Sequence, residues 1–255
     1  MNYVALRMLF GDRAQYLMLL CGLTFAVMLI VQQGSILWGL MIWSQSSISN
    51  LNVPIWVTDP GTAQVDEVKP IADTTVDRVR SIPGVEWAVP LYKGLLRARL
   101  ANGEYHQITL TGLDAATLIG RPAEVLEGRF EDLRQPDAVA LDQWAVERMG
   151  GPTVITVGTV FELNDKLARV VAIAKTQKTF TNIPVVYTTY ERALRYVPRE
   201  RRTLSYVLAK AKDSAPVDEV IQRIRDHTGL GAFTADAFGW KTIGWVLKNT
   251  GGGIN

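Results

Sequence analysis

Residues 16–31 read YLMLLCGLTFAVMLIV, and residues 36–43, ILWGLMIW, resume the apolar pattern after the polar break Gln32-Gln33-Gly34-Ser35. No Asp, Glu, Lys or Arg occurs between Arg13 and Asp59. An average soluble chain carries about one charged residue in four, and this chain as a whole carries 20%. A gap of that length is the mark of a lipid environment. A helix needs about 20 apolar residues, each rising about 1.5 Å, to cross about 30 Å of hydrocarbon. Residues 16–36 meet that length, with the two glutamines near the far interface. Tyr16 at one end and Trp38 and Trp43 at the other fit the aromatic anchors that sit at headgroup level. The expectation is one transmembrane helix over residues 14–43.

The flanks set its orientation. Arg7 and Arg13 precede the span, and the next Lys or Arg is Lys69. The positive-inside rule then predicts a cytoplasmic N-terminus and a large domain on the other side of the membrane. The run exceeds the apolar region of a signal peptide, about 7–15 residues, and no small-x-small cleavage site follows it closely. Residues 1–13 are expected to be cytoplasmic or interfacial. Val4, Leu6, Met8, Leu9 and Phe10 fit a short amphipathic helix on the membrane surface, with a disordered apolar tail as the alternative. The net charge is only +2 and no basic stripe is concentrated anywhere, which argues against nucleic acid as a partner. Cys21 is the single cysteine and lies inside the span, so no intramolecular disulfide is possible.

Beyond the span, strand-like and helix-like patterns alternate over residues 44–239. The polar, uncharged residues 44–52, SQSSISNLN, either continue the helix or form a linker. Residues 55–57 read as a short strand stopped by the turn Asp59-Pro60-Gly61. Residues 72–81 predict a helix, with Val76 and Val79 three apart and Asp73 or Thr74 as its cap. Residues 85–92 and 95–100 read as two strands joined around Lys93-Gly94, and Asn102-Gly103 as a hairpin turn into a strand over 105–113. A strand over 138–141 leads to a helix over 142–149 that ends at Gly150-Gly151. Residues 153–160, 161–163 and 167–174 read as β, with Asn164-Asp165 as the turn between the last two. Another strand covers 184–188 and a helix 190–196. Finally a strand over 204–211, a helix over 216–228 and a closing strand over 232–237 repeat the first unit in outline. Val217, Val220, Ile221 and Ile224 share one face of that helix, and Gly229 stands just past its end. The fold class expected is α+β: two strand–helix–strand units flanking a β-rich insert.

The chain offers little chemistry. It has no Walker A motif, nucleophile elbow or HExxH motif. Its two histidines, His106 and His227, do not make a metal site, which needs three or four converging ligands. His227 at a helix end is explained by the helix dipole. Asp137, Asp142 and Asp165 each stand beside turn chemistry that accounts for them. Trp56, Trp87, Tyr92, Trp144, Phe180 and Tyr187 fit core packing better than an apolar groove. Arg192, Arg195, Arg199, Arg201 and Arg202, with Glu191 and Glu200 among them, form either a solvated face or a dock for an acidic partner or lipid headgroups. No catalytic, cofactor-binding or metal-ligating residue is assigned, and no cofactor is expected.

Several stretches taken in order resemble one family. Residues 5–17, ALRMLFGDRAQYL, with the long first span and its glutamine pair, resemble the start of DevC-like permeases, in the MacB/FtsX-type group of ABC transporter membrane subunits. LTGLD at 110–114, LEGRF at 126–130 and PDAVALDQWAVERMG at 136–150 are similar to the periplasmic domain of that group. WKTIGWVLKNTGGGIN at 240–255 is similar to the stretch that enters its second span. The resemblance implies a MacB-like periplasmic domain held on the inner membrane between a first and a second span of four. It implies a dimer, an ABC ATPase subunit that hydrolyses ATP in place of this chain, a membrane-fusion adaptor with an outer-membrane duct, and export of a glycolipid or other amphiphile. Asn255 falls before the second span is complete, so the resemblance also implies a truncated permease. The alternative from another class is a single-pass membrane-anchored binding or sensor protein. A membrane-anchored enzyme has no catalytic cluster to support it.

Overall fold

The computed structural model describes residues 13–151 and 153–249, so the amphipathic stretch 1–12 and Gly251-Gly252-Gly253 lie outside the described residues. The chain divides into two compact units, Met1–Ile42 and Trp43–Asn255. In the first, helix α1 (Arg13–Leu51) runs from the N-terminal side and exposes its apolar side chains, among them Met18, Leu23, Ile30 and Trp38. Such all-round apolar exposure suits lipid rather than water. Its 39 residues extend about 58 Å, well beyond the hydrocarbon thickness. The last nine residues belong to the second unit. There the polar stretch resolves as helix, and Ser44, Ser46, Ser47, Ile48 and Leu51 are buried.

The second unit is built from ten strands. Four of them form a sheet with two helices in the split β-α-β arrangement. The first unit of this sheet is β1 (Ile55–Thr58), α2 (Thr75–Arg80) and the start of β2 (Val85–Arg99). The second comes much later: β9 (Tyr206–Ala211), α5 (Val217–Thr228) and β10 (Gly231–Thr234). The strand order is β10-β1-β9-β2, and every pairing is antiparallel. Both faces of this sheet are covered. Ile55, Val57, Val207 and Ala209 face α2 and α5 with Val79, Val220 and Ile224. Trp56, Tyr206 and Leu208 face the opposite way, into a core shared with Ile48, Leu51 and Phe238. The α5 helix ends as its sequence predicts: Gly229 takes φ 73, and its N–H reaches the Arg225 carbonyl at 2.8 Å.

Within this second compact unit, the chain between the two strand–helix–strand units forms a closed barrel with the rest of β2. Its remaining strands are β3 (Tyr105–Leu113), β5 (Ala138–Asp142), β6 (Val160–Leu163), β7 (Lys166–Lys175) and β8 (Val185–Thr189). Pairings run β2-β3, β3-β8, β8-β5, β5-β7, β7-β6, and β6 returns to β2 through Ala98↔Leu163 and Arg99↔Glu162. The interior holds Ile108, Leu110, Val139, Leu141, Phe161 and Val186. Two short helices cover it, α3 (Gln143–Arg148) and α4 (Tyr190–Tyr196). β4 (Glu124–Gly128) lies outside the ring, paired to β7 beyond the stretch that β6 occupies. A one-turn 3₁₀ segment, Phe130–Arg134, buries Phe130 and Leu133.

Several sequence expectations need correcting. Residues 85–100 form one strand, not two. Lys93-Gly94 continues the pleat, with Lys93 paired to Thr111 and Gly94 to Leu110. Residues 153–159 form turns, because Thr156 N–H donates to Thr159 Oγ1 at 2.9 Å and Thr159 N–H to the Thr156 carbonyl at 3.0 Å. Neither Asp73 nor Thr74 caps α2 with its side chain; backbone turns over residues 72–76 start it instead. The closing strand stops at Thr234, whose hydroxyl accepts the Ala237 N–H at 3.1 Å and opens helix α6 (Ala235–Asn249). β4 and the 3₁₀ turn at Phe130–Arg134 carry no periodic signal and were not expected.

Candidate functional site

Within the second unit four elements close on two residues of the loop after β1, Val65 and Asp66. Ser47, near the end of α1, donates to Asp66 Oδ1 at 3.1 Å. Lys93 of β2 forms an ion pair with the same carboxylate, its side chain only 11% exposed. Tyr206 of β9 donates its hydroxyl to the Val65 carbonyl at 2.9 Å. Burial pushes the Tyr206 phenol up, followed by the negative charges of Asp66 and Glu67, so it stays a donor. Thr242 of α6 accepts the Val65 N–H at 3.3 Å. A further tie joins Asn50 to the loop after β7: Asn50 Nδ2 donates to the Gln177 carbonyl at 2.9 Å, and its Oδ1 accepts the Gln177 N–H at 2.8 Å.

Apolar packing supplies most of the strength here and the polar groups set the geometry. Fully burying a Leu or Ile stabilises by about 1.5–3 kcal/mol, so Ile48 and Leu51 together outweigh the single Ser47 bond, worth about 1 kcal/mol. Below the hub, Trp56, Tyr206, Phe238 and Phe233 form an aromatic cluster with centroids 5.5–6.1 Å apart. Lys241 Nζ lies 4.6 Å from the Phe233 ring centre. The two helices also touch directly. A Cβ at Gly239 would stand 2.7 Å from Gln45 Oε1, the movable end of that side chain, and 3.5 Å from its Cβ. The end of α1 and the start of α6 are thus fastened to one core at one place. The arrangement is a structural junction of hydrogen bonds, one ion pair and apolar packing between the helices and the core.

The residues singled out by sequence do not converge. His227 Nδ1 sits 2.9 Å from the Arg223 carbonyl at the end of α5, the structural role expected of it. His106 lies on β3, 3.8 Å from Glu104. Among the described residues no group of three or more His, Cys, Asp or Glu could hold a metal. Asp137 and Asp165 occupy positive-φ turn positions, at 54° and 62°. Asp142 is buried and caps α3, accepting the Ala145 N–H at 2.7 Å and the Val185 N–H at 3.3 Å. Trp56, Tyr92 and Tyr187 are core residues, and Trp87, Trp144 and Phe180 are half-buried; the six form no common groove. Of the arginine run, Arg192 is half-buried while Arg195, Arg199 and Arg202 are exposed. Sequence reasoning missed Ser47, Asp66 and Lys93. The one available signal was the serine-rich, uncharged stretch directly after the span, which is unusual on a solvated helix.

Comparison with known proteins agrees with this architecture. The family model of the MacB-like periplasmic core domain matches residues 16–227. The extracellular domain of the noncanonic ABC-type transporter YknZ from Gram-positive bacteria is similar at 15% identity and TM-score 0.52, covering 72% of this chain and 99% of that one. The periplasmic region of MacB from Actinobacillus actinomycetemcomitans is similar at 12% identity and TM-score 0.54, covering 78% of this chain and 94% of that one. No curated protein matches the chain. At these identities the solved structures speak for the fold, and the family model for descent. The chain, with an exposed apolar helix leading into a two-lobed α/β core, belongs to the family defined by the MacB-like periplasmic core domain.

Proposed function

We propose that this chain is the membrane permease subunit of an ABC-type exporter, whose outer domain couples a separate ATPase to an adaptor protein. The observation that carries the reading is the hub at Val65-Asp66, where the end of α1 and the start of α6 are fastened to the same core. Family membership supports an ABC transporter component. The lack of a Walker A motif fits ATP hydrolysis by a partner. In this reading residues 14–43 span the inner membrane with the N-terminus in the cytoplasm, residues 44–239 work outside it, and residues 240–255 begin a second span. Two copies act together. The cargo is a glycolipid or other amphiphile of the kind handled by DevC-like exporters, passed on through a membrane-fusion adaptor and an outer-membrane duct.

The test is to isolate the tagged protein from its native membranes in mild detergent and measure both composition and ATP turnover. The expected result is a Walker-A-containing ATPase in a near-equal amount, with vanadate-sensitive turnover. Recovery of the chain as a stable species that never carries an ATPase would overturn the reading.

A further inference from the structure

One basic cavity lies apart from the hub, where α4 covers the barrel. Its volume is about 250 Å³, and Arg134, Lys166, Arg192 and Arg195 line it with Asp137 as the single carboxylate. Elsewhere on this domain Arg80, Lys93, Arg99, Arg121, Lys175, Lys210 and Arg223 each pair with an acid, while others such as Arg78 and Arg225 stand singly among the described residues and donate to backbone carbonyls. Among the described residues none of the four cavity cations has a carboxylate within 4 Å.

Backbone carbonyls, not counter-charges, hold three of them in place. Arg192 Nη1 donates to the carbonyls of Leu133 at 2.6 Å and Ala138 at 2.9 Å. Arg134 donates to the carbonyls of Ala115 and Ala116 at 2.9 and 2.8 Å. Lys166 Nζ donates to the carbonyl of Arg195. Tyr196 anchors α4 against β7 through its hydroxyl, 2.9 Å from the Leu167 carbonyl. Carbonyl oxygens orient a guanidinium without neutralising it, so four positive charges converge from three separate elements on a cavity with Asp137 as its one carboxylate. Burial holds the Arg192 guanidinium below the usual arginine range, and the neighbouring Arg195 charge acts in the same direction, while Asp137 and Glu191 act against it. A solvated basic face would spread its cations apart instead of bringing them around one cavity.

We infer that this cavity is a binding site for a dianionic phosphate, either the free ion or a phosphate monoester. Four cations against one carboxylate leave an excess of three, which a singly charged carboxylate would satisfy poorly. Fixed guanidinium groups match the several oxygens of a phosphate. The inference rests on the geometry of the barrel end and stands whether or not the chain serves an exporter.

The full chain in detergent is titrated calorimetrically with inorganic phosphate, glycerol 3-phosphate and dimethyl phosphate, with sodium chloride holding ionic strength constant. Saturable one-site binding of one or both dianions is expected, at least tenfold tighter than the singly charged diester. Arg195→Gln, whose side chain is exposed and has no hydrogen bond or ion pair among the described residues, is expected to weaken that binding at least tenfold with an unchanged melting temperature. Arg202→Gln, outside the cavity, is expected to leave it unchanged. Tighter binding of the monoester identifies an esterified ligand, and tighter binding of inorganic phosphate identifies the free ion; each supports the site. No saturable binding, equal binding of the diester, or equal loss in both variants would overturn it.

Discussion

At Asp142 two effects oppose each other. Burial disfavours the carboxylate, while the N–H groups of Ala145 and Val185 and the hydroxyl of Thr176 stabilise it, and burial wins: the carboxyl is pushed up to about 6 from 3.8. A folded state that holds the proton more tightly than the unfolded chain is most stabilised by this group at low pH. That contribution is full below about pH 4 and is lost as the pH rises to about 6, by about 3 kcal/mol. Asp142→Asn keeps an oxygen acceptor and removes the titration. Chemical denaturation of both proteins across pH 4–7 is expected to show the wild type losing stability relative to Asp142→Asn over that window; a constant difference would contradict the assignment. Asp142 was legible as the start of a helix beside turn chemistry, and its role as the cap came only with the structure. Its burial was not legible either, because that depends on β8 and the loop after β7 lying over it.

Strand β2 shows what periodicity misses at the scale of an element. Its fifteen residues serve two bodies: 85–91 pair with β9 in the open sheet, and 92–99 pair with β3 in the barrel. Lys93-Gly94 carries turn-forming composition, yet the chain runs straight through because both edges are already satisfied by distant partners. Barrel closure was equally invisible, since it rests on two residue pairs that join β2 to β6 across more than sixty positions. Local signals did locate the elements whose cause is local. The Asn164-Asp165 hairpin, the 105–113 strand, helix α4 and the Gly229 stop all stand where the sequence puts them. Helix α4 also sets a close approach. A Cβ at Gly112 of β3 would lie 2.7 Å from the Ala193 Cβ and 3.2 Å from the Tyr190 Cα. Gly112→Val is therefore expected to lift α4 from the barrel and destabilise the domain by about 1–3 kcal/mol in urea denaturation. An unchanged midpoint would mean that this contact is loose.

For the whole molecule, the two strand–helix–strand units and the insert were readable because each unit repeats its pattern within about fifty residues. The order β10-β1-β9-β2 follows once those units are known to share a sheet. The hub was not readable, since its members stand at positions 47, 65, 66, 93, 206 and 242 and no motif joins them. Orientation is tested in a Cys21→Ser background by placing a cysteine at Asp213, whose side chain is 94% exposed. Asp213→Cys is expected to react with a membrane-impermeant maleimide once any outer membrane is made permeable and the inner membrane left intact. Labelling only after the inner membrane is breached would reverse the topology. The central claim is that the end of α1 and the start of α6 act as one body with the core. A Cβ at Gly239 would lie 3.5 Å from the Gln45 Cβ, within the span of a disulfide. In the same background, Gln45→Cys with Gly239→Cys should bridge on oxidation, and ATP turnover of the isolated complex is then compared before and after reduction. The account predicts a formed bond and turnover within about twofold of the reduced protein. Turnover that collapses on oxidation and returns with reductant would show that the two helices must part in each cycle, and would contradict it.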